Sequence, residues 1–554
     1  MINDSHPERR CAGVDQLSLR SLVLGVLGAC IITASSMYVA LRMSALPWPT
    51  VFVAVLSMAL LKALGRTTLN EINITQTAMS AGAMVAGGLA FTLPGLWITG
   101  RWKGPAAFGE HFWTVLWVAI AGVLLGTVLT WFMRRRFVVE EALPYPIGVA
   151  AAETITVGDQ GGQKSALLFG TMGLAAVFTY LRDGLGWIPA AFSSGWLYSR
   201  NFFIGIWVSP MAVGIGYMIG TLYTGVWFLG ALLSYLVIIP LGTAAKLFPA
   251  VPAAVAFKNT AGIGLMVGTG VGILIRFLLS RLPGFPNKAA KLPSGSAPAG
   301  SGGPLRLERL LSFLAFAAAF VLSVVAGIGP LPALLLLLGV WAASAMAATI
   351  TGQTGINPME IFAIIILLAI RLLVRLDSAS AFLIAAAVAI TCGYAGDLLN
   401  DYKAGQMLGT SPVAQLIANA AGGLAGAVIG ALAMFAVIGQ FGGVGADKGL
   451  PAGQAFAVSQ MVGGIGDPLV FGVALAAGAL LYLFRVPVMT LGIGMYLPFE
   501  ISAVVFLGGL LRLLSDRFRP GAAAGAGNIA ASGLLGGEGI TGVGIAIYKM
   551  LTGG

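Results

Sequence analysis

Charged residues are scarce in this sequence of 554 residues. The 31 lysines and arginines and the 20 aspartates and glutamates together make up 9% of it, whereas soluble domains carry about 25%. A chain of this length with so little charge could not cover its own surface with polar groups. Apolar residues account for 58% of the sequence, and its mean hydropathy is +0.94. These values exclude a cytosolic globular protein and a disordered chain, and they predict an integral membrane protein.

Cysteine and histidine are also rare. The three cysteines, Cys11, Cys30 and Cys392, lie far apart without a CxxC motif, and His6 and His111 are the only histidines. Such spacing argues against disulfide and metal sites, so we expect no bound metal and no cofactor. The sequence also lacks HExxH, GxSxG and GxxxxGK[ST] motifs, which carry metal, nucleophile or phosphate chemistry. We therefore expect a protein that is not an enzyme and has no catalytic residues.

The basic residues lie in short runs between apolar stretches, at 9–10, 134–136, 276–309 and 512–519. Positive charge next to membrane spans marks cytoplasmic loops, so the formal net charge of +11 indicates contact with membrane lipid and not with nucleic acid. Residues 1–16 are predicted to be an N-terminal cytoplasmic tail. They show no cleavable signal, because acidic residues precede a first apolar run that is long enough to span the membrane.

Apolar runs of roughly 20 residues, the length that crosses a bilayer, recur along the whole sequence. They predict an all-α integral membrane protein with about 14 to 16 transmembrane helices, several of them broken or re-entrant where Gly or Pro interrupts the run. A Gly-, Ser- and Pro-rich stretch at 283–308 cannot bury a core and is predicted to be a flexible linker. It separates a first transmembrane half at 17–282 from a second half at 309–554.

The two halves resemble each other. Four short stretches recur in the same order and nearly the same distance apart: 74–78 and 350–355, 143–146 and 409–412, 214–218 and 492–496, and 259–272 and 528–544. One match in a chain rich in Gly and Ala means little, but four in order indicate an internal duplication. Secondary transporters are often built from such repeats, and their substrate binds at the interface between the repeats near the membrane midplane.

Polar side chains inside the apolar runs are candidates for a transport site, because such residues usually face a cavity or a partner. Polar interruptions in the two halves and three tyrosines predict the substrate-binding residues: Asn73, Gln76, Thr77, Tyr217, Gln353, Thr354, Asn357, Tyr394 and Tyr496. We expect the substrate cavity between the halves, lined by 73–77 and 353–357. Asn357, Pro358 and Glu360 also fit a capped helix start with no role in transport.

Carboxylates are the candidates for proton coupling. A proton-driven carrier needs a group whose charge changes during the cycle, and burial in a low-dielectric site shifts a carboxyl towards its neutral form. The leading candidates are Glu538, Asp397 and Asp401, followed by Glu71, Glu153 and Glu360. Glu538 comes first because it lies deep in the last apolar run among glycines. It could instead be a neutral acid that only joins helices, and the sequence leaves both interpretations open.

The stretch from Asp397 to Pro412 resembles a signature of the oligopeptide transporter family. The family pattern reads Asp-Leu-Lys-Thr-Gly, two variable residues, Leu-Gly-Ala, then Thr or Ser, and Pro. This sequence matches it at Asp401, Lys403, Gly405, Leu408-Gly409 and Ser411-Pro412, and departs from it at Tyr402, Ala404 and Thr410. The resemblance covers about residues 17–550, with further motifs at 73–82, 91–94, 143–146, 209–217, 355–360, 492–498 and 536–539.

The resemblance implies about 16 transmembrane segments that arose by successive duplications. It also implies a secondary transporter of the bacterial inner membrane that imports oligopeptides, or peptide-like metal chelates and siderophores, by proton symport. Its partners are then a small-molecule substrate, protons and membrane lipid. Two other classes stay open: a channel, since Gly-rich broken helices also build filters, and an intramembrane enzyme. Saturable flux into liposomes that collapses with the proton gradient would identify the transporter.

The same resemblance predicts a homodimer, and the 78 glycines provide helix surfaces that can pack closely. We expect mass photometry in detergent to find particles of twice the mass of the chain. Particles of the single-chain mass alone, at working concentrations, would contradict the dimer.

Overall fold

The computed structural model describes residues 16–43, 49–103, 107–160, 162–279, 305–445, 448, 450, 452–462, 467–518 and 523–552. These residues are almost entirely helical. Because a membrane offers no water, backbone N–H and C=O groups must bond within their own segment, which a helix achieves. The only strands in the described ranges, Ala191–Ser193 (β1) and Gly205–Trp207 (β2), form one antiparallel hairpin. The structure confirms the predicted all-α membrane fold.

The helices follow one another with short connections. Residues 16–279 contain α1 (Leu19–Met43), α2 (Pro49–Ala63), α3 (Leu69–Ala90), α4 (Gly95–Ile98), α5 (Ala107–Arg134), α6 (Pro146–Gln160), α7 (Gly162–Thr179), α8 (Gly195–Tyr198), α9 (Pro210–Ile219), α10 (Thr221–Leu232), α11 (Ile239–Ala244) and α12 (Val251–Leu279). Residues 305–552 contain α13 (Leu305–Val325), α14 (Pro330–Thr354), α15 (Met359–Leu373), α16 (Ser378–Gly393), α17 (Leu399–Leu408), α18 (Pro412–Gln440), α19 (Gly453–Val462), α20 (Pro468–Leu483), α21 (Val488–Tyr496), α22 (Phe499–Phe518) and α23 (Ala523–Thr552). Four segments are π-helical: Arg135–Glu140, Tyr180–Gly184, Leu233–Ile238 and Tyr394–Leu398.

Eight helical segments of the described chain are long and apolar enough to cross a membrane: Leu19–Leu41, Leu69–Ile98, Ala107–Glu140, Thr221–Ala244, Val251–Gly272, Pro330–Gln353, Ser378–Leu408 and Pro412–Gln440. Four shorter apolar helices accompany them: Thr50–Ala63, Pro210–Ile219, Arg309–Val325 and Pro468–Leu483. The long spans are fewer than the predicted count because turns divide several apolar runs. The turn at 355–358 separates α14 from α15, and Leu497 and Pro498 separate α21 from α22.

Helices α3 and α16 form the centre of the bundle. All residues of α3 from Glu71 to Ala90 and all residues of α16 from Ser380 to Gly393 are buried. Helix α3 packs against α1, α2 and α18, and α16 packs against α5 and α15. A helix covered on all faces lies inside a bundle and not against lipid. The polar side chains of α3 therefore face other parts of the protein.

The predicted division into a tail, two halves and a linker falls partly on residues outside the described ranges, namely 1–15 and 280–304. Helix α13 begins at Leu305, inside the predicted linker at 283–308. The division of the chain into two halves stays a prediction. The contacts that the repeated stretches make are relevant to it.

The two Gly-Ile-Gly stretches at 214–216 and 492–494 pack in equivalent ways. A methyl group at Gly216 on α9 would overlap the backbone carbonyl of Val505 on α22. A methyl group at Gly494 on α21 would likewise overlap the carbonyl of Trp227 on α10. Each of these helices thus contacts, through a glycine, a helix from the other predicted half. Only glycine allows the two backbones to approach so closely.

The first glycine of each stretch extends this equivalence. Gly214 faces the carbonyl of Ala531 on α23, and Gly492 faces the carbonyl of Gly262 on α12. Ala531 and Gly262 occupy the same position in the repeated stretches 528–544 and 259–272. When the halves of a duplicated chain pack about a pseudo-twofold axis, equivalent positions make equivalent contacts. They support the duplication inferred from the sequence.

Gly494→Ala tests this close packing. Because the added methyl group would meet backbone and not a movable side chain, we expect a loss of stability of about 1–3 kcal/mol, measured as a lower melting temperature of the detergent-solubilised protein. Gly225→Ala is the matched control, since Gly225 also lies on a membrane helix and has open space beside it. Equal melting temperatures for the two variants would contradict the packing described here.

Candidate functional site

A cavity opens inside the bundle where the ends of broken helices meet. Its wall is mostly apolar and includes the aromatic rings of Phe91, Trp207 and Trp227. The centres of water-sized molecules can occupy about 180 Å³ of it, many times the roughly 10–15 Å³ that one water needs. The polar side chains on its wall form two clusters of different chemistry.

The first cluster, the acid–amide cluster, consists of Asn357, Glu360 and Asp397. Asn357 lies in the turn between α14 and α15, where Gly355 has a φ of 73° and ends α14. Its Nδ2 donates to the carbonyl oxygen of Cys392 and to Oδ2 of Asp397, both at 2.8 Å. Its Oδ1 is buried and has no hydrogen-bond partner among the described residues. A buried acceptor without a partner is costly, so a donor from a ligand would be bound favourably here.

The two carboxyls of the acid–amide cluster have no cationic partner. Glu360 lies in the first turn of α15, and Asp397 lies in the π-helical segment between α16 and α17. The two residues are 6% and 4% exposed, and neither forms an ion pair within the described chain. The hydroxyl of Tyr496, on the same cavity wall, is also buried without a partner there. Buried charge needs a counter-charge, so these carboxyls suit a proton or a cationic ligand.

The second cluster, the ion-pair cluster, consists of Arg182, Asp183, Ser209 and Glu538. Arg182 donates to both carboxylate oxygens of Asp183 at 2.7 and 2.6 Å, and its Nη2 donates to Oε1 of Glu538 at 2.9 Å. Ser209 lies 2.9 Å from Oε2 of Glu538, and the backbone N–H of Met211 donates to the same oxygen at 2.8 Å. Three donors from two elements, the π-helical segment Tyr180–Gly184 and the start of α9, therefore hold the Glu538 carboxylate.

Two π-helical segments carry side chains of both clusters. Arg182 and Asp183 belong to the segment Tyr180–Gly184, and Asp397 belongs to Tyr394–Leu398. A π-helical turn interrupts the regular hydrogen-bond ladder of a helix, and such turns occur frequently at functional sites. Both segments turn a charged side chain from a membrane helix towards the same cavity.

Comparison with known proteins agrees with this architecture. Residues 16–549 match the model of the family described as OPT oligopeptide transporter protein. The chain belongs to the OPT family. It is therefore a multi-pass membrane protein. A Haemophilus influenzae protein named "Putative oligopeptide transporter" is 26% identical to it, and the alignment covers 87% of this chain and 86% of that relative.

The predicted site residues Asn73, Gln76 and Thr77 do not line the cavity of the OPT-family chain. They lie in α3, which is unbroken at this point. With Ser80, Asp401 and Gln415 they form a separate buried network, here called the interior cluster. Gln76 Nε2 donates to Oδ1 of Asp401 at 2.8 Å, and Gln415 Nε2 donates to the backbone oxygen of Asp401 at 2.8 Å. These amide side chains form hydrogen bonds with each other and with Asp401. Their polar groups are therefore satisfied inside the bundle while α3 stays a continuous helix.

Other predicted residues of the OPT-family chain also lie away from the cavity. Glu71 accepts hydrogen bonds from Arg20 at 2.5 Å, Ser18 at 2.6 Å and Thr67 at 2.7 Å, which anchors the start of α3 to α1. Glu153 is half-buried on α6. Neither glutamate lines the cavity.

Tyr217, Tyr394 and Gln353, three further predicted residues, do not line the cavity either. The Tyr217 hydroxyl lies 3.1 Å from Ser515 Oγ, and Tyr394 is fully buried in the core. Gln353 is half-buried near the end of α14. Thr354 ends that helix, and its side chain lies outside the described part of the chain. The structure thus brings to the cavity Asn357, Tyr496, Glu360, Asp397 and Glu538.

Sequence reasoning missed two buried cations. Arg182 lies at the end of an apolar run, where a basic residue normally marks a loop. Lys258 lies inside the apolar helix α12, and this position was a usable signal because ionisable residues inside spans are rare. Its Nζ donates to the carbonyls of Met495 at 2.9 Å and Tyr496 at 3.1 Å, at the C-terminus of α21. Lys258 thus holds the broken helix that carries Tyr496 against the cavity.

Arg182→Gln tests the ion-pair cluster. Removal of the cation would leave Asp183 and Glu538 without a counter-charge, so we expect a loss of stability of about 3–5 kcal/mol, measured by thermal unfolding in detergent. The control is Arg135→Gln, which breaks an exposed pair with Glu140 and should cost at most about 1 kcal/mol. If both variants melt alike, Arg182 does not neutralise the cluster. The double variant with Glu538→Gln should recover part of the loss.

Proposed function

We propose that this protein is a secondary active transporter that imports oligopeptides across the bacterial inner membrane and is driven by protons. Membership of the OPT family and the name of the Haemophilus relative support a peptide as substrate. The cavity inside the bundle is the binding site in this proposal. Its wall, apolar apart from two small polar clusters, is typical of ligand-binding cavities.

The acid–amide cluster carries the proposal. Among the described residues Asn357 Oδ1 is a buried acceptor without a donor, and the carboxyls of Glu360 and Asp397 line the same cavity without forming an ion pair. A peptide has one group that satisfies all three, its N-terminal ammonium, which brings hydrogen-bond donors and a positive charge. The aromatic rings of Trp207 and Trp227 offer surfaces for its side chains. The amino end of the peptide is thus recognised by charge, and its side chains by apolar contact.

We assign proton coupling to the two carboxyls of the acid–amide cluster and not to Glu538. A group that binds and releases a proton must have ionised and neutral forms of similar free energy. Glu538 already has Arg182, Ser209 and Met211 as hydrogen-bond donors, so its contacts serve to join helices in this proposal. Within the described chain Glu360 and Asp397 form no ion pair, and Asp397 accepts from the neutral amide of Asn357. In a site shielded from water such carboxyls bind a proton or a cationic substrate in this proposal.

The breaks between α14 and α15 and between α21 and α22 give the cavity a means of alternating access. Both breaks lie on its wall, through Asn357 in one and Leu497 in the other. In secondary transporters, discontinuous helices form the substrate site and one bundle moves against the other around it. Peptide-like metal chelates, which the family resemblance also implies, are the second candidate substrate.

Uptake by the purified protein in liposomes tests the proposal. We expect saturable uptake of labelled short peptides that requires an inward proton gradient, and weaker uptake of the same peptides after N-acetylation. Asn357→Leu should weaken peptide binding roughly 10- to 100-fold, because a hydrogen bond to a charged group contributes about 1.5–3 kcal/mol. Glu140→Gln, an exposed carboxyl outside the cavity, is the control and should transport normally.

Three outcomes would contradict parts of this assignment. Flux that does not saturate would indicate a channel. Equal uptake of free and N-acetylated peptides would exclude recognition of the ammonium. Uptake of metal chelates without uptake of any peptide would make chelates the substrate.

A further inference from the structure

The interior cluster contains a buried carboxyl that the substrate cavity does not use. Asp401 is fully buried, its Oδ1 accepts from Gln76 at 2.8 Å, and Ser80 Oγ lies 3.5 Å from the same oxygen. Its Oδ2 is buried and has no hydrogen-bond partner within the described chain. No lysine or arginine there forms an ion pair with it. A carboxylate in this position is neutralised by binding a proton or a metal cation.

The arrangement of the amides favours a proton over a metal cation. Asn73 Nδ2 donates to Gln76 Oε1 at 3.1 Å, which turns the Gln76 nitrogen towards Asp401. Gln415 likewise presents its nitrogen, to Asn73 Oδ1 at 3.1 Å and to the Asp401 backbone oxygen at 2.8 Å. N–H donors cannot ligate a hard cation, which is bound by oxygens. They do suit a carboxyl whose second oxygen carries a proton.

Asp401 lies between the cavity and one end of the bundle. Asp397, four residues earlier on the same span, accepts from Asn357 at the cavity. Beyond Asp401 the same span ends at Leu408, and Thr410 then contacts Asn70 at 3.2 Å. Gln16, the last residue of the predicted cytoplasmic tail at 1–16, contacts Gly409 and Ser411 at this end.

We propose that Asp401 is a proton-binding site separate from the substrate site, through which protons pass between Asp397 and the cytoplasmic end of the bundle. Gln76 and Ser80 position its carboxyl. In the step itself, the proton leaves the carboxyl of Asp397 and binds the carboxylate of Asp401, so the charge moves without any change in oxidation state. This inference rests on the proposed proton coupling of transport.

The other ionisable groups on the elements packed around Asp401 do not take its place as the proton-binding group. They are Asp397, Tyr402 and Lys403 on its own span, Arg134 and the exposed pairs at 135–141 after α5, Glu153 on α6, and Glu71 on α3. Glu71 is paired with Arg20, and the pairs at 135–141 are exposed. Glu153 is half-buried on α6, whereas Asp401 is fully buried four residues after Asp397 on the same span.

The decisive variant is Asp401→Asn in the full-length protein, reconstituted in liposomes with a pH-sensitive dye inside. Asparagine keeps the size of the side chain and cannot bind a proton. We expect peptide exchange between the two sides at the wild-type rate, but accumulation driven by the proton gradient should fall to a concentration ratio of one. Peptide addition should no longer acidify the liposomes. Asp159→Asn, an exposed pair with Lys62, is the matched control and should retain both properties.

Infrared difference spectroscopy tests the site without substrate. We expect the pH-induced spectrum of the wild-type protein to show a carboxylic-acid carbonyl band that Asp401→Asn lacks. Gln76→Leu should move the pH at which this band is half-maximal upwards, because it removes a donor that stabilises the ionised form. A merely structural role of Gln76 would leave that pH unchanged.

Failure of the inference and failure of the proposed function give different results. A wild-type protein that takes up no peptide, yet loses the infrared band on Asp401→Asn, would contradict peptide transport and keep the proton site. Peptide-driven acidification by Asp401→Asn at the wild-type level would overturn the proton site. An unchanged infrared band in Asp401→Asn, or accumulation driven by a sodium gradient alone, would overturn it as well.

Discussion

The need to satisfy every polar group without water governs this structure. Inside a membrane an unpaired donor, acceptor or charge has no solvent to compensate it, so most of the buried polar side chains bond to backbone groups or to one another. Arg182 with Glu538, Gln76 with Asp401 and Asn357 with Asp397 join helices that are far apart in the chain. The buried polar groups that lack such a partner among the described residues are the candidates for a role in function.

Buried carboxyls fall into two kinds by this criterion. Glu538 and Glu71 each pair with an arginine and accept from further donors, and these contacts hold helices together. Glu360, Asp397 and Asp401 form no ion pair within the described residues; the first two line the cavity, and Asp401 lies in the interior cluster. The first kind supports the architecture. The second kind can change protonation, which a proton-driven carrier requires.

Much of the fold could be predicted because local composition determines it. Apolar length predicted the helices, and Gly355 and Pro358 predicted the break before α15. The repeated Gly-Ile-Gly stretches predicted a duplication, and their equivalent contacts across the halves support it. The site was predicted in part: Asn357 lies on the cavity wall, whereas Gln76 is a buried partner of Asp401 in an unbroken helix. A polar residue within an apolar run needs a hydrogen-bonding or charged partner. The sequence does not indicate which residue that partner is.

The sequence by itself determined that this protein is a helical membrane protein of the OPT family and which few ionisable side chains its spans contain. Only the tertiary structure decided how those side chains are used. Arg182 and Glu538 are 356 residues apart, and Gln76 and Asp401 are 325 apart. Helical periodicity reports which face a residue lies on, but not which distant helix covers that face. The choice between a fixed ion pair and a free carboxyl is made by that packing.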